Sequence, residues 1–278
     1  MQSECVAAKA VVAVQAMMQT FDPAPFRSRP VPAFGAEAER KEGYRVNTPI
    51  DRQAAAAGED CVDLRDIGVA GDNHYYCDCN PPYYFSVPGA VPNLWVRRSV
   101  ADRLVRANGW LKSLGLELYV FDAWRPQAIQ RHFHDVWFPD WLRRHRPELS
   151  DAERLEEVER YWAAPSQGEN SPSPHSTGGA VDLTLRFIGT RQPLYMAGMF
   201  DDLTENAHTD WLERREPHSM SDQEARSNRR LLYWTMREAG FANNPTEWWH
   251  YSHGDQMWAR MTGEGAAIYG SCRPGNAD

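Results

Sequence analysis

Residues 116–121, 180–188 and 246–253 carry the signature of β-strands, and long stretches of other structure separate each from the next. The first, Leu116-Glu117-Leu118-Tyr119-Val120-Phe121, alternates strictly between Gly115 and a turn at Asp122-Ala123-Trp124-Arg125-Pro126. Strands scattered in this way cannot form the βαβ repeats of a doubly wound fold. The pattern predicts an α+β class, with a small antiparallel sheet flanked by helices. No glycine-rich phosphate loop follows any strand, and no internal repeat is present.

The intervening segments read as helices. Leu94, Val100, Leu104 and Leu111 recur at helical spacing over residues 94–114, and Gly115 is a fitting stop. A second helix is expected from Pro126, which a first turn tolerates, and residues 140–162 read as one or two charged helices. Ser221-Asp222-Gln223-Glu224 resembles a capping box that opens a helix running to Gly240. Residues 61–93 mix short apolar runs with turns such as Asn80-Pro81-Pro82. Residues 21–60 are rich in Pro, Ala and Gly with little periodicity. The expected organisation is an N-terminal extension over 1–60, partly irregular, that wraps or precedes a single domain over 61–278.

Charge narrows the partners. The net charge is -8, with acidic and basic residues interleaved, so no basic stripe faces a phosphate backbone. Nucleic acid is thereby excluded, and a small substrate is favoured. Residues 6–18 are moderately apolar, but Lys9 and Gln15 interrupt a run too short to span a bilayer. No membrane partner is expected, and a cytoplasmic setting is the default, with periplasmic export left open. The cysteines are Cys5, Cys61, Cys77, Cys79 and Cys272, an odd set without a paired framework. Cys77 and Cys79 lack the second close pair that a zinc knuckle needs, and the thiols fit a reducing compartment.

Two stretches carry chemistry. In Ser173-Pro174-His175-Ser176-Thr177-Gly178-Gly179-Ala180-Val181-Asp182, a His on a Gly-containing loop precedes an Asp just inside a strand. The loop can fold back, so that imidazole and carboxylate converge. In Glu247-Trp248-Trp249-His250 an acid lies three positions before a His. Taken singly, each residue is more often a surface group. Together they supply two imidazoles, one carboxylate and a spare carboxylate. Three protein ligands leave a fourth position on Zn2+ for water, whose pKa falls toward about 7. His175, Asp182 and His250 are the candidate ligands, and Glu247 is the candidate base for proton transfer from water to leaving amine. Arg125, held in a turn by Pro126, is the candidate for the developing oxyanion.

These motifs resemble the VanX-type D-alanyl-D-alanine dipeptidases, zinc peptidases that share a fold with D,D-carboxypeptidases and the hedgehog signalling domain. The family's Ser-x-His-x-x-Gly-x-Ala-x-Asp pattern is complete from Ser173 to Asp182, its Glu-Trp-Trp-His-Tyr stretch stands at Glu247–Tyr251, and its Asp-x-x-Arg-Pro stretch at Asp122–Pro126. The helix with Asn228-Arg229-Arg230 and Gly240-Phe241 is also similar. The resemblance covers roughly residues 61–260 and implies the same ligands, base and oxyanion stabiliser. It further implies that Asp201, in Phe200-Asp201, helps hold the substrate ammonium and that Ser173 lines the pocket. A family Tyr falls at Tyr75 or Tyr76, before Asp78-Cys79-Asn80-Pro81, with Tyr75 taken as the substrate-binding position. The implied reaction is hydrolysis of D-alanyl-D-alanine or a related D,D-dipeptide to free amino acids, with one Zn2+ per chain.

Three other readings compete. A zinc D,D-carboxypeptidase or endolysin would use the same residues on peptidoglycan peptides. An iron(II) oxygenase also uses two His and a carboxylate, but its acid usually lies two residues after the first His, where Thr177 stands here. A non-catalytic zinc-binding module would be expected to lack Glu247.

Overall fold

A computed structural model describes residues 21–35, 47–162, 165 and 168–275. Cys5 and the apolar run at 6–18 lie outside the described residues.

The strands are Cys61–Asp63 (β1), Ala70–Gly71 (β2), Trp95–Arg97 (β3), Leu116–Asp122 (β4), Ala180–Phe187 (β5), Ala242–Asn244 (β6) and Glu247–Ser252 (β7). The helices are Arg98–Leu111 (α1), Gln127–His132 (α2), Phe138–His145 (α3), Asp151–Tyr161 (α4), Met220–Glu238 (α5) and Gln256–Thr262 (α6). A five-stranded sheet runs in the order β2-β4-β5-β7-β6, beside a two-stranded β1-β3 ribbon. This is the expected α+β class. The large sheet is antiparallel except at one edge, where the short β2 pairs parallel with β4.

Alternation in β4 turns Leu116, Leu118, Val120 and Asp122 to the interior. β5 is buried from Ala180 through Leu185, as befits a central strand covered on both faces. Helix α1 buries Val100, Ala101, Leu104, Ala107 and Leu111 on one stripe, and its Asn108 Oδ1 accepts from the Leu118 amide at 2.8 Å. It begins at Arg98 rather than at Leu94, because Trp95–Arg97 is drawn into pairing with β1. Gly115 closes it in the left-handed region, at φ 68°.

Helices α2 and α3 are joined through one wide turn at Phe133–Trp137, so the 140–162 region holds two helices, the first starting earlier than expected. The cap of α5 is Ser219, two residues before the predicted box, with its side chain accepting from the Asp222 amide. Residues of the extension lie on this helix: Arg27 Nη1 donates to Asn228 Oδ1 at 2.7 Å, and Trp234 Nε1 donates to the Arg29 carbonyl at 3.0 Å. Ile50 bridges to Ala267 at the other end of the chain.

Candidate metal centre and active site

Register builds the site. Asp122 pairs with Asp182, and Asp182 with His250, so three polar side chains fall in one row across β4, β5 and β7. Directly opposed carboxylates repel. Arg125 answers this: its Nε donates to Asp122 Oδ2 at 2.8 Å, its Nη2 to Asp182 Oδ2 at 3.1 Å and its Nη1 to Gln130 Oε1 at 3.3 Å. The guanidinium also lies 4.7 Å from the centre of the Tyr75 ring. Its charge is held firmly: burial opposes it, but Tyr75, Asp122, Asp182 and Asp201 push its pKa above the usual value.

His175 enters from the short helical turn Pro174–Thr177, closed by Gly178 at φ 71°. The imidazole Nδ1 donates to the Ala123 carbonyl at 2.7 Å and lies 3.2 Å from Asp122 Oδ2. That leaves Nε2 facing inward, 3.1 Å from His250 Nδ1 and 3.3 Å from Asp182 Oδ2. His250 is held at its outer nitrogen by Ser252 Oγ, 3.1 Å away, and its Nδ1 faces Asp182 Oδ1 at 3.0 Å. Both outer nitrogens are thus engaged, and both inner ones point at one carboxylate.

The inner atoms of His175, Asp182 and His250 all lie within 4.8 Å of one another, and all three residues are buried. Two imidazole lone pairs and a carboxylate converging on a point is the donor chemistry of a divalent zinc ion, with the outer hydrogen bonds orienting each ring. The residues present fit the metal. Among these groups Asp182 is the most acidic: burial disfavours its charge, but the His175 charge and hydrogen bonds from both imidazoles hold its pKa well below the usual range. His175 moves the other way, since the Asp182 charge outweighs burial and raises its pKa.

Glu247, half-buried at the start of β7, places Oε2 3.8 Å from His250 Nδ1. It opens onto a cavity of about 520 Å³ lined by Arg125, Ser173, His175, Asp182, Asp201 and His250, among others. Ser173 is buried in its wall, its carbonyl accepting from Ser176 Oγ at 2.8 Å. Asp201 is buried at the far side and accepts from Tyr75 at 2.8 Å and from Tyr83 at 2.7 Å, both through Oδ2. Burial, against the pull of Arg125, lifts its pKa to about 7. Tyr75 is buried here, while Tyr76 is 48% exposed. The structure therefore brings seven of the eight predicted residues to the lining of one cavity, and Tyr75 stands behind them against Asp201 and Arg125. His253 turns away from it: its ring lies between the Arg103 guanidinium and the Gly240 carbonyl.

Sequence reasoning missed several participants. Tyr83 sits in a loop without periodicity, so nothing in the chain marked it. Asp122 and Gln130 were legible only as neighbours of Arg125. Ser252 follows His250 by two in a strand, hence on the same face, a signal that period-two reading could have used.

A buried His-Asp-His cluster beside a carboxylate and a cavity defines a metallohydrolase-type centre. Residues 90–266 match the Peptidase_M15 family, described as D-Ala-D-Ala dipeptidase. A D-alanyl-D-alanine dipeptidase of Synechocystis sp. is 32% identical over 230 residues, covering 77% of this chain and 91% of that one. One from Streptomyces coelicolor is 31% identical, covering 56% of this chain and 71% of the relative. The VanY D,D-pentapeptidase of a VanB-type resistance cassette, solved with Zn(II), aligns with a TM-score of 0.35 at 16% identity, over 64% of this chain and 84% of that one. The chain belongs to the D-Ala-D-Ala dipeptidase family of zinc metallopeptidases. No helix among the described residues is long and apolar enough to cross a membrane.

Proposed function

We infer that the chain hydrolyses D-alanyl-D-alanine, or a closely related D,D-dipeptide, to free amino acids. The observation that carries this reading is the convergence of two imidazoles and a carboxylate within 4.8 Å, with Glu247 alongside. His175 through Nε2, His250 through Nδ1 and Asp182 would hold the zinc ion. Bound there, zinc supplies a water of pKa near 7 and a Lewis acid for the substrate carbonyl. Glu247 takes the proton at a carboxylate oxygen and returns it to the leaving amine. Arg125 has five N–H donors and commits three to Asp122, Asp182 and Gln130, which leaves donors for the oxyanion of the tetrahedral intermediate. Asp201, supported by two tyrosine hydroxyls, receives the substrate ammonium, and Ser173 shapes the wall. Residues 61–278 form the catalytic unit, with 1–60 as an extension of which Arg27 and Arg29 contact α5. Four free thiols among the described cysteines support a reducing, cytoplasmic setting, and the absence of a basic stripe supports a small-molecule rather than a nucleic-acid or membrane partner.

The cavity volume favours one second reading. About 520 Å³ is more room than a dipeptide needs, so a D,D-carboxypeptidase acting on peptidoglycan peptides fits the same residues. Assaying the zinc-loaded protein on D-Ala-D-Ala, L-Ala-L-Ala and a D-Ala-D-Ala-terminated pentapeptide separates the two. Cleavage of the D,D-dipeptide alone is expected; faster turnover of the pentapeptide would replace the first reading with the second. Glu247→Gln should keep one zinc per chain while hydrolysis falls by roughly 100- to 10,000-fold, the range for a lost general base. Undiminished hydrolysis would remove Glu247 from the mechanism.

A further inference from the structure

Outside the metal cleft, two thiols from distant parts of the chain meet. Cys61, the first residue of β1, and Cys272, near the end, place their sulfur atoms 3.5 Å apart across 211 positions of sequence. Both are half-buried. They pack over Gly178, the residue that closes the His175 turn: a Cβ there would lie 3.3 Å from each sulfur. Cys272 is fastened to the same turn. Its amide donates to the Ser176 carbonyl at 3.0 Å, its sulfur lies 3.2 Å from the Thr177 carbonyl, and the Cys272 carbonyl accepts from Trp124 Nε1 at 3.0 Å. Arg97 flanks the pair, with Nε on the Thr177 carbonyl at 2.9 Å and Nη2 on the Gly270 carbonyl at 3.4 Å. The backbones on both sides are therefore anchored. A disulfide requires the sulfurs to close to about 2.0 Å, a movement of roughly 1.5 Å within reach of side-chain rotation.

We propose that Cys61 and Cys272 form a reversible oxidation site, which reacts with a disulfide-bearing oxidant and closes to an intrachain disulfide tying the C-terminal segment to β1 beneath the His175 turn. Cys61 is the attacking thiol. Its hydrogen bond with Cys272 and the Arg97 charge, against burial, hold its pKa below the ordinary thiol value, whereas Cys272 is pushed up by that same contact and by burial. The Cys61 thiolate attacks one sulfur of the oxidant, breaks its S–S bond and expels one thiolate, leaving a mixed disulfide. Cys272, losing its proton, then attacks Cys61 Sγ and expels the second thiolate. Two protein thiols are oxidised by two electrons, the oxidant is reduced to two thiols, and the two protein protons pass to the released thiolates. The site is independent of the dipeptidase reading, because none of its atoms touches the proposed ligands.

The test uses the full-length zinc-loaded protein, as wild type and as a C5S/C77S/C79S variant that leaves only this pair. After incubation with oxidised glutathione, the variant should lose about 2 Da, yield a Cys61–Cys272 cross-linked peptide, and revert with dithiothreitol. Closing so long a loop should raise the Tm of the oxidised form by roughly 5–15 °C over the reduced form. Wild type should yield the same cross-linked peptide, so the result does not depend on the triple variant folding. C272S added to the triple variant should instead carry a single glutathione on Cys61. If both thiols stay fully alkylatable, if each takes glutathione without cross-linking, or if oxidation leaves Tm unchanged or lowered, the proposal is overturned.

Discussion

At the scale of single residues, the cavity separates charges that would otherwise cancel. Arg125 is buried between Asp122 and Asp182, while Asp201 is held by two hydroxyl donors instead of by a cation. Burial makes that carboxyl costly to ionise, against the pull of Arg125 and the two hydroxyls, which is why its pKa sits near 7. Its folded pKa exceeds the unfolded value of 3.8, so the native state binds the extra proton between about pH 4 and pH 7. The corresponding stability is fully present below pH 4 and is lost as pH rises through 7. Asp201→Asn removes that slope. Relative to wild type the variant should gain stability from pH 5 to pH 8, with roughly 4 kcal/mol as the ceiling for a shift of this size. Catalysis should move oppositely. Wild-type KM should rise as pH falls below 7, because protonated Asp201 has no charge to offer an ammonium, and Asp201→Asn should raise KM about 10- to 100-fold at pH 8. A KM that does not respond in pH-resolved kinetics would show that the ammonium binds elsewhere.

Elements carry these residues, and their legibility was uneven for physical reasons. β4 announced itself through period-two alternation after Gly115, and β5 and β7 through short apolar and aromatic runs, all of them local signals. The start of α1 was misplaced because the pairing partner of Trp95–Arg97 lies at Cys61–Asp63, more than thirty residues away, and no local pattern reports it. The cap of α5 was misread because two serines compete, and only Ser219 takes the extended backbone of a cap, at φ -145° and ψ 167°. Likewise the metal motifs were legible because their spacing is chemical, whereas Tyr83 joins Asp201 through tertiary packing alone. The most consequential element contact was also hidden. Arg229 of α5 is buried and donates Nε to Met196 at 2.7 Å, Nη1 to His208 at 2.8 Å and Nη2 to Asn206 at 2.6 Å, each through a backbone carbonyl. Those three carbonyls bracket the loop that carries Asp201 and walls the cavity. Burial lowers the Arg229 pKa to about 9, still charged at neutral pH. A lysine cannot reproduce the planar fork. Arg229→Lys should therefore cost roughly 2–4 kcal/mol in denaturant titration, from carbonyls left without donors, and should raise KM by more than it lowers kcat. Equal losses in both parameters would mean that the reacting groups themselves had shifted.

For the whole molecule, the question is whether the metal organises the fold or the fold organises the metal. The proposed ligands come from a turn before β5, from β5 and from β7, with Asp182 and His250 sixty-eight positions apart. Their alignment is nonetheless fixed by strand register, and the sheet behind them is covered by a continuous core running from Leu64 to Tyr269. Each side chain is also held by the protein itself: Asp182 accepts from Arg125 at 3.1 Å, His175 Nδ1 donates to the Ala123 carbonyl at 2.7 Å and His250 Nε2 meets Ser252 Oγ at 3.1 Å. This differs from a small zinc finger, whose core cannot form without its ion. Removal of zinc by a chelator should therefore leave far-UV circular dichroism and cooperative unfolding intact while abolishing hydrolysis. The stabilisation lost is that of a ligand bound only by the native state, about 2.7 kcal/mol when free metal is a hundredfold above its Kd. In a chain of this size that corresponds to a Tm decrease of roughly 5–10 °C, restored by stoichiometric zinc. Collapse of the circular dichroism signal on chelation would reverse the order of cause, making the ion a partner in folding rather than a guest of a preformed row of side chains.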